Sequence, residues 1–164
     1  MEYALPMSMR ILLLGTLATA LLDLWMLTLK RFKVPMLDMA LLGRWCAHLL
    51  RGQPVRGPIA AAGAITGERE LGWALHYAIG IAFAALFAGF VDPGWLHHPA
   101  PGPALLFGLA TVAAPLFILQ PAMGAGIASS RTRTPLRNVL KSTLNHAVFG
   151  GGLYLAAICL SLLP

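Results

Sequence analysis

The sequence predicts an all-α protein built as a bundle of four membrane-spanning helices. Three observations carry this prediction: 58% of the residues are hydrophobic, only 11% are charged, and the apolar residues fall in four long runs. Soluble domains carry about 25% charged residues, so this chain has too few to cover a surface that faces water. We therefore interpret residues 1–164 as a single integral membrane domain.

The predicted spans have the length that a membrane helix needs, about 20 residues for roughly 30 Å of hydrocarbon. They cover residues of about 9–29, 71–91, 104–127 and 142–163. Helices are expected because backbone polar groups in lipid must bond within their own segment, and no run alternates as a barrel strand does. Two distant cysteines, Cys46 and Cys159, exclude a disulfide framework and a paired-cysteine redox centre.

Basic residues predict the orientation of the bundle, because loops rich in Lys and Arg stay in the cytoplasm. Eleven of the twelve lie in or beside the first and third connections. They are Lys30, Arg31, Lys33, Arg44, Arg51, Arg56 and Arg69 in the first, and Arg131, Arg133, Arg137 and Lys141 in the third. Connections one and three are therefore expected in the cytoplasm and both termini outside, in the periplasm of a cell that has one.

The first connection is long, and residues 35–52 predict an amphipathic helix in the membrane interface between spans 1 and 2. Its apolar side holds Leu41, Leu42, Trp45 and Leu49, and its polar side holds Arg44, His48 and Arg51. The basic side is expected to meet lipid head groups, so the lipid bilayer is the first expected partner. The net charge of +6 is divided between short loops without a recognition fold, which argues against nucleic-acid binding.

Ionisable groups inside spans are costly, and they mark candidate functional sites. Asp23, His76 and His146 are predicted at one depth, roughly 8 to 11 Å from the basic ends of their helices at 1.5 Å per residue. Gln120 of the third span is expected only slightly deeper. Small residues at i+4 spacing on the same faces predict close helix contacts rather than exposure to lipid. The sequence therefore predicts a polar layer that opens toward the cytoplasm.

Three hypotheses fit this layer. Asp23, His76, Gln120 and His146 suit a site that binds or transports a proton or a polar solute. Alternatively, Asp23, His76 and His146 are ligands of a divalent metal or of haem in a membrane enzyme. In the third hypothesis the layer fixes helix packing in a structural or partner-binding subunit. A homo-oligomer or a larger membrane complex is compatible with each hypothesis.

Two short patterns suggest an internal repeat of two helical hairpins. The sequence Leu-Leu-Leu-Gly at 12–15 resembles Leu-Leu-Phe-Gly at 105–108, and the pair His76 and Gly80 resembles His146 and Gly150.

Polar motifs in the apolar background carry a resemblance that covers nearly the whole chain. They are Leu37-Asp38, Gly43-Arg44-Trp45, Gly67-Glu68, Gly72-Trp73, His76-Tyr77, Pro115 through Gln120-Pro121, Gly124 to Ser130, and His146 with Phe149-Gly150. The chain resembles the bacterial membrane family known as domain of unknown function 2938. This resemblance implies a small four-helix inner-membrane protein without an assigned activity. It also adds Asp38, Arg44, His48 and Glu68 as candidate residues of a cytoplasmic mouth, with Arg44 or Glu68 pairing charges there.

Overall fold

The computed structural model describes residues 5–55 and 57–162, and within these residues it contains helices and no strand. Four helical segments are long and apolar enough to cross a membrane, as the sequence predicts. They are Met7–Arg31 (α1), Glu68–Phe90 (α3), Pro101–Ala122 and Pro135–Ser161 (α6). Arg56 and residue 163, the predicted end of the fourth span, lie outside the described residues.

The third span is interrupted. It consists of α4 (Pro101–Thr111), a π-helical segment (Pro115–Leu119) and the short α5 (Gln120–Ala122). Pro115 has no backbone N–H to donate to the preceding turn, and a π-helical segment accommodates that loss. The span ends at Ala122 rather than near residue 127, because Gly124 and Gly126 adopt positive φ angles of 85° and 77° that end the helical path.

The remaining helix, α2 (Met39–Leu50), packs along the beginning of α3. It is shorter than the predicted 35–52 because it starts after Asp38, whose carboxylate accepts a hydrogen bond from the backbone N–H of Ala40 at 3.0 Å. Gly43 and Gly72 lie at the contact, where a Cβ on Gly43 would overlap the Glu68 carbonyl. The amphipathic helix is therefore anchored directly on the second span.

The spans pack in the order α3, α1, α6 and α4, with α2 on the outer side of α3. We call the end that holds residues 32–55, 57–67 and 123–134 the basic end, and the end that holds residues 91–100 the opposite end. Fully buried Leu14, Ala18 and Leu153 form the middle of the apolar core, which continues toward the opposite end. The polar contacts between spans lie on the basic side of this core.

Glycines set the spacing between the helices of each hairpin. A Cβ on Gly15 of α1 would overlap the α3 backbone at Gly80 and Ile81, and a Cβ on Gly108 of α4 would overlap the α6 backbone at Gly150. Helix backbones approach this closely in membranes where the interface carries small residues. The stripes of small residues therefore lie between helices, as their i+4 spacing predicts.

Substituting Gly15 by Ala tests this packing. The added methyl group meets backbone atoms of α3 that cannot rotate away, so we expect a loss of about 1 to 3 kcal/mol of stability. Thermal unfolding in detergent measures the effect. Gly151→Ala is the matched control, because no atom lies within 4 Å of a Cβ at that position of α6. Equal melting temperatures for the two variants would contradict the close crossing of α1 and α3.

Candidate functional site

Asp23 of α1 accepts two hydrogen bonds from side chains of α3. His76 Nε2 lies 2.9 Å from Asp23 Oδ1, and the Tyr77 hydroxyl donates to Asp23 Oδ2 at 2.9 Å. The side chains of Asp23 and His76 are 13% and 16% exposed, so the pair is largely covered and still accessible. Both residues stand eight positions from the basic end of their helices, about 12 Å at 1.5 Å per residue.

The contact between α1 and α3 holds this pair in place. Thr19 lies one helical turn before Asp23 and directly against Gly80, which lies one turn after His76. The Thr19 hydroxyl donates to the Gly15 carbonyl at 2.7 Å, so its polar atom is satisfied within α1. The Trp73 ring packs edge-on against the His76 ring with 5.8 Å between the centroids. The imidazole is therefore fixed by a hydrogen bond on one side and by aromatic packing on another.

His146, the second predicted histidine, has a different partner. Its Nδ1 lies 2.8 Å from the Thr111 hydroxyl, which also lies 2.6 Å from the Gly108 carbonyl oxygen. A carbonyl accepts only, so the single hydroxyl proton goes to Gly108. His146 then donates its Nδ1–H to Thr111, and the lone pair of the neutral imidazole is on Nε2. The Phe83 ring packs edge-on near this imidazole, with 6.4 Å between the centroids.

Residues next to Asp23 and His146 in the sequence connect α1 to α6 at the depth of the Asp23 pair. Trp25, two positions after Asp23, donates its indole N–H to the Asn145 side-chain oxygen at 3.2 Å. Asn145 directly precedes His146 in α6, which places His146 near the level of Asp23 along the bundle. The predicted common depth of the aspartate and the two histidines therefore agrees with the observed register of the three helices.

Gln120 does not take part in this arrangement. It accepts a hydrogen bond from the Ser129 hydroxyl at 2.9 Å, within the connection that follows its own span. Thr111 is the residue of the third span that bonds His146. It lies nine residues before Gln120, about 13 Å farther from the basic end at 1.5 Å per residue. The predicted position of Gln120 is too deep because the third span continues through its π-helical segment into the basic end.

The candidate metal ligands Asp23, His76 and His146 do not form one group. Within residues 5–55 and 57–162, no three His, Cys, Asp or Glu side chains converge as metal ligands. Asp23 and His76 bond each other, while His146 bonds Thr111. The geometry therefore provides an acid–base pair and a separate histidine rather than a three-ligand centre.

The residues predicted for the mouth lie at the basic end and connect α2 to α3. Arg44 forms two hydrogen bonds of 2.8 Å to the Glu68 carboxylate and a third, of 3.0 Å, to the Ala62 carbonyl. The hydrogen bonds to Glu68 raise the pKa of the Arg44 guanidinium above its ordinary value. His48 Nε2 lies 3.3 Å from the Gly63 carbonyl. Arg44 and His48 on the polar side of α2 therefore bond α3 and the connection before it, whereas Arg51 is exposed.

The connection between α2 and α3 also contacts the third connection. The Ile59 N–H donates to the Met123 carbonyl at 3.0 Å, and the Ile59 side chain is buried. Asp38 remains at the start of α2 as its N-cap. The four residues predicted for a mouth thus divide into one ion pair and two groups that bond the backbone, and the connection that they hold crosses the basic end.

Several residues of these contacts were not singled out as site residues in the sequence analysis. Tyr77 and Asn145 each adjoin a predicted histidine, and that adjacency is a signal that the sequence contains. Thr111 has no such signal, because a threonine inside an apolar run is common. Its importance depends on the register between α4 and α6, which the glycines at 108 and 150 set.

The family described as protein of unknown function (DUF2938) matches residues 12–160. The chain belongs to this family. No curated protein and no solved structure matches the chain. Membership in DUF2938 confirms the resemblance drawn from the motifs and assigns no reaction, so the chemistry of this DUF2938 protein must be argued from its residues.

Replacing Arg44 by Lys tests the anchoring of the connection. Lysine cannot form the two parallel bonds to Glu68 and reach the Ala62 carbonyl at once. We expect faster amide hydrogen exchange in residues 57–66, measured by mass spectrometry, with the spans unchanged. Arg69→Lys at an exposed position is the control. Unchanged exchange in the Arg44 variant would show that the ion pair does not hold the connection.

The tautomer of His146 gives a second test of the site. We expect the neutral ring to carry its proton on Nδ1, which ¹⁵N chemical shifts of the ring nitrogens report directly. Thr111→Val removes the acceptor, and the ring nitrogens should then shift toward a mixture of tautomers. Thr28→Val is the control, because Thr28 bonds only its own helix at Leu24 among the described residues. A wild-type ring protonated on Nε2 would contradict the assignment.

Proposed function

We propose that this DUF2938 protein binds and releases a proton within the membrane, at the pair formed by Asp23 and His76, as part of a solute- or proton-transport module. The observation that supports this proposal is the Asp23 carboxylate, which lies inside a membrane-length helix and accepts bonds from both His76 and Tyr77. Ionisable groups at such depth are retained where their charge has a use. The side chains of the pair are not fully covered, and proton exchange requires that water reach this opening.

The pair has two protonation states that differ by one charge. With a neutral imidazole that donates its Nε2–H, the pair carries a charge of −1. When the free Nδ1 accepts a proton, the resulting imidazolium and the carboxylate together carry no net charge. Low-dielectric surroundings penalise net charge, so the proton on His76 and any other cation near Asp23 compete for the same site. This competition is the physical basis of proton-coupled binding.

Tyr77 has a positioning role in this scheme. Its hydroxyl donates to the Asp23 oxygen that His76 does not use, so the carboxylate keeps one orientation in both protonation states. The pair lies about 12 Å from the basic end. With the basic connections in the cytoplasm of a bacterium, as the distribution of Lys and Arg favours, protons exchange with the cytoplasm.

Proton flux through proteoliposomes tests the proposal. Purified protein is reconstituted with a pH-sensitive dye inside, and a potassium diffusion potential drives protons inward. We expect Asp23→Asn to reduce the flux by about tenfold or more, because the amide cannot stabilise an imidazolium on His76. Tyr77→Phe should keep a flux with a shifted pH profile. Glu70→Gln, which removes an exposed carboxylate from the first turn of α3, is the matched control.

The same experiment separates transport from packing. Asparagine has the shape of aspartate and can still accept the bond from Tyr77, so the fold should survive. Size-exclusion profiles and helix content measured by circular dichroism check this for every variant. Equal proton flux in the wild-type and the folded Asp23→Asn protein would overturn the proposal and leave the pair as a contact between α1 and α3.

A further inference from the structure

A second feature lies at the opposite end of the bundle, far from the Asp23 pair. There an open cleft of about 370 Å³ lies between the end of α3 and the start of α4. Aromatic rings, a proline and one carboxylate line this cleft. The principal lining residues are Phe87, Phe90, Asp92, Trp95, Pro103 and Phe107.

The aromatic rings form a corner. Phe87 and Trp95 stand perpendicular, at 86°, with 4.8 Å between their centroids, and Phe107 leans on Phe87 with 5.1 Å between centroids. Phe87 and Trp95 are buried beneath the cleft and support it, whereas Phe90 is 78% exposed at the rim and Phe107 is half-buried. The indole N–H of Trp95 donates to the Ala100 carbonyl, which fixes the ring. A cation within about 6 Å of an uncovered ring face, which Phe90 and Phe107 can present, is attracted by the ring's electrons.

The charge at this cleft is negative and unbalanced. Asp92 is exposed, and its Oδ1 accepts the Gly94 N–H at 2.7 Å, while within the described residues no donor reaches Oδ2. Residues 70–130 contain no Lys or Arg, and within the described residues neither His97 nor His98 of this segment bonds Asp92. Arg10 on α1, the basic residue outside the two basic connections, directs its Nε to the Leu5 carbonyl.

We propose that this cleft binds an organic ammonium ion, with the carboxylate of Asp92 and the rings of Phe90 and Phe107 holding its cationic group. The apolar walls exclude a small hydrated metal ion, because they offer no further oxygen ligands, and they suit methylated or alkylated nitrogen. A free cation from water and the amine of a lipid head group share this chemistry. The site does not involve Asp23, so this proposal and the proposal of proton binding at Asp23 can be tested separately.

A pair of isosteric ligands tests the proposal. The protein is placed in nanodiscs of phosphatidylglycerol, which has no amine, and binding of choline is compared with that of its neutral isostere 3,3-dimethylbutan-1-ol. We expect choline to bind about tenfold or more tightly, because the cation alone interacts with the carboxylate and the rings. Asp92→Asn should weaken choline binding about fivefold and leave the isostere unaffected. Phe107→Leu should weaken binding of choline while retaining most of the apolar volume.

Asp92→Asn removes the negative charge and keeps the local turn, because an asparagine oxygen still accepts the Gly94 N–H. Asp92→Glu, which restores the charge, should recover most of the affinity. Equal binding of the two ligands, absence of choline binding, or wild-type affinity in folded Asp92→Asn would each overturn the proposal. Replacing half of the lipid by phosphatidylethanolamine identifies the source: competition with choline assigns the site to lipid head groups, and no competition assigns it to a free cation.

Discussion

The close contact between α1 and α3 determines where Asp23 and His76 meet. Thr19 satisfies its hydroxyl on the Gly15 carbonyl, and this allows its side chain to lie against Gly80 with no unpaired polar atom. One turn further along, Asp23 meets His76 at hydrogen-bond distance. A larger residue in place of Gly80 would separate the helices and leave a carboxylate without donors inside the membrane, at a cost of several kcal/mol.

Both hairpins of the bundle have a glycine crossing beside a threonine whose hydroxyl bonds its own helix. They differ in the residue that follows on the same face, and this difference explains their separate polar contacts. In the second hairpin, Gly108 packs on Gly150 and the Thr111 hydroxyl bonds the Gly108 carbonyl, as Thr19 bonds Gly15 in the first. Eight residues after Gly15 stands Asp23, whereas eight residues after Gly108 stands Leu116. His146 therefore has no carboxylate at the position corresponding to Asp23, and the threonine of the crossing becomes its partner.

The sequence predicts the spans and a common depth for Asp23, His76 and His146, because run length and position within a run are local patterns. It does not predict that Asp23 bonds His76, which depends on the contact of α1 with α3 at Gly15 and Gly80. The position of Gln120 was not predictable in this way. It depends on the π-helical segment after Pro115 and on the fold of the third connection, where Ser129 supplies the partner. Likewise, Arg44 reaches Glu68 because α2 docks on α3, a tertiary contact that amphipathicity alone does not specify.

The distribution of polar groups also limits the route open to the proton in the mechanism proposed for Asp23. Toward the opposite end, the fully buried Leu14, Ala18 and Leu153 offer no side-chain hydrogen-bonding group, so protons cannot pass this layer while it stays packed. Among the described residues, the third span packs on α6 and meets α3 chiefly near Phe87 and Phe107. Its π-helical segment lies beyond that meeting point, toward the basic end. Displacement of this span from α3 therefore breaks fewer contacts than displacement of α1 from either neighbour.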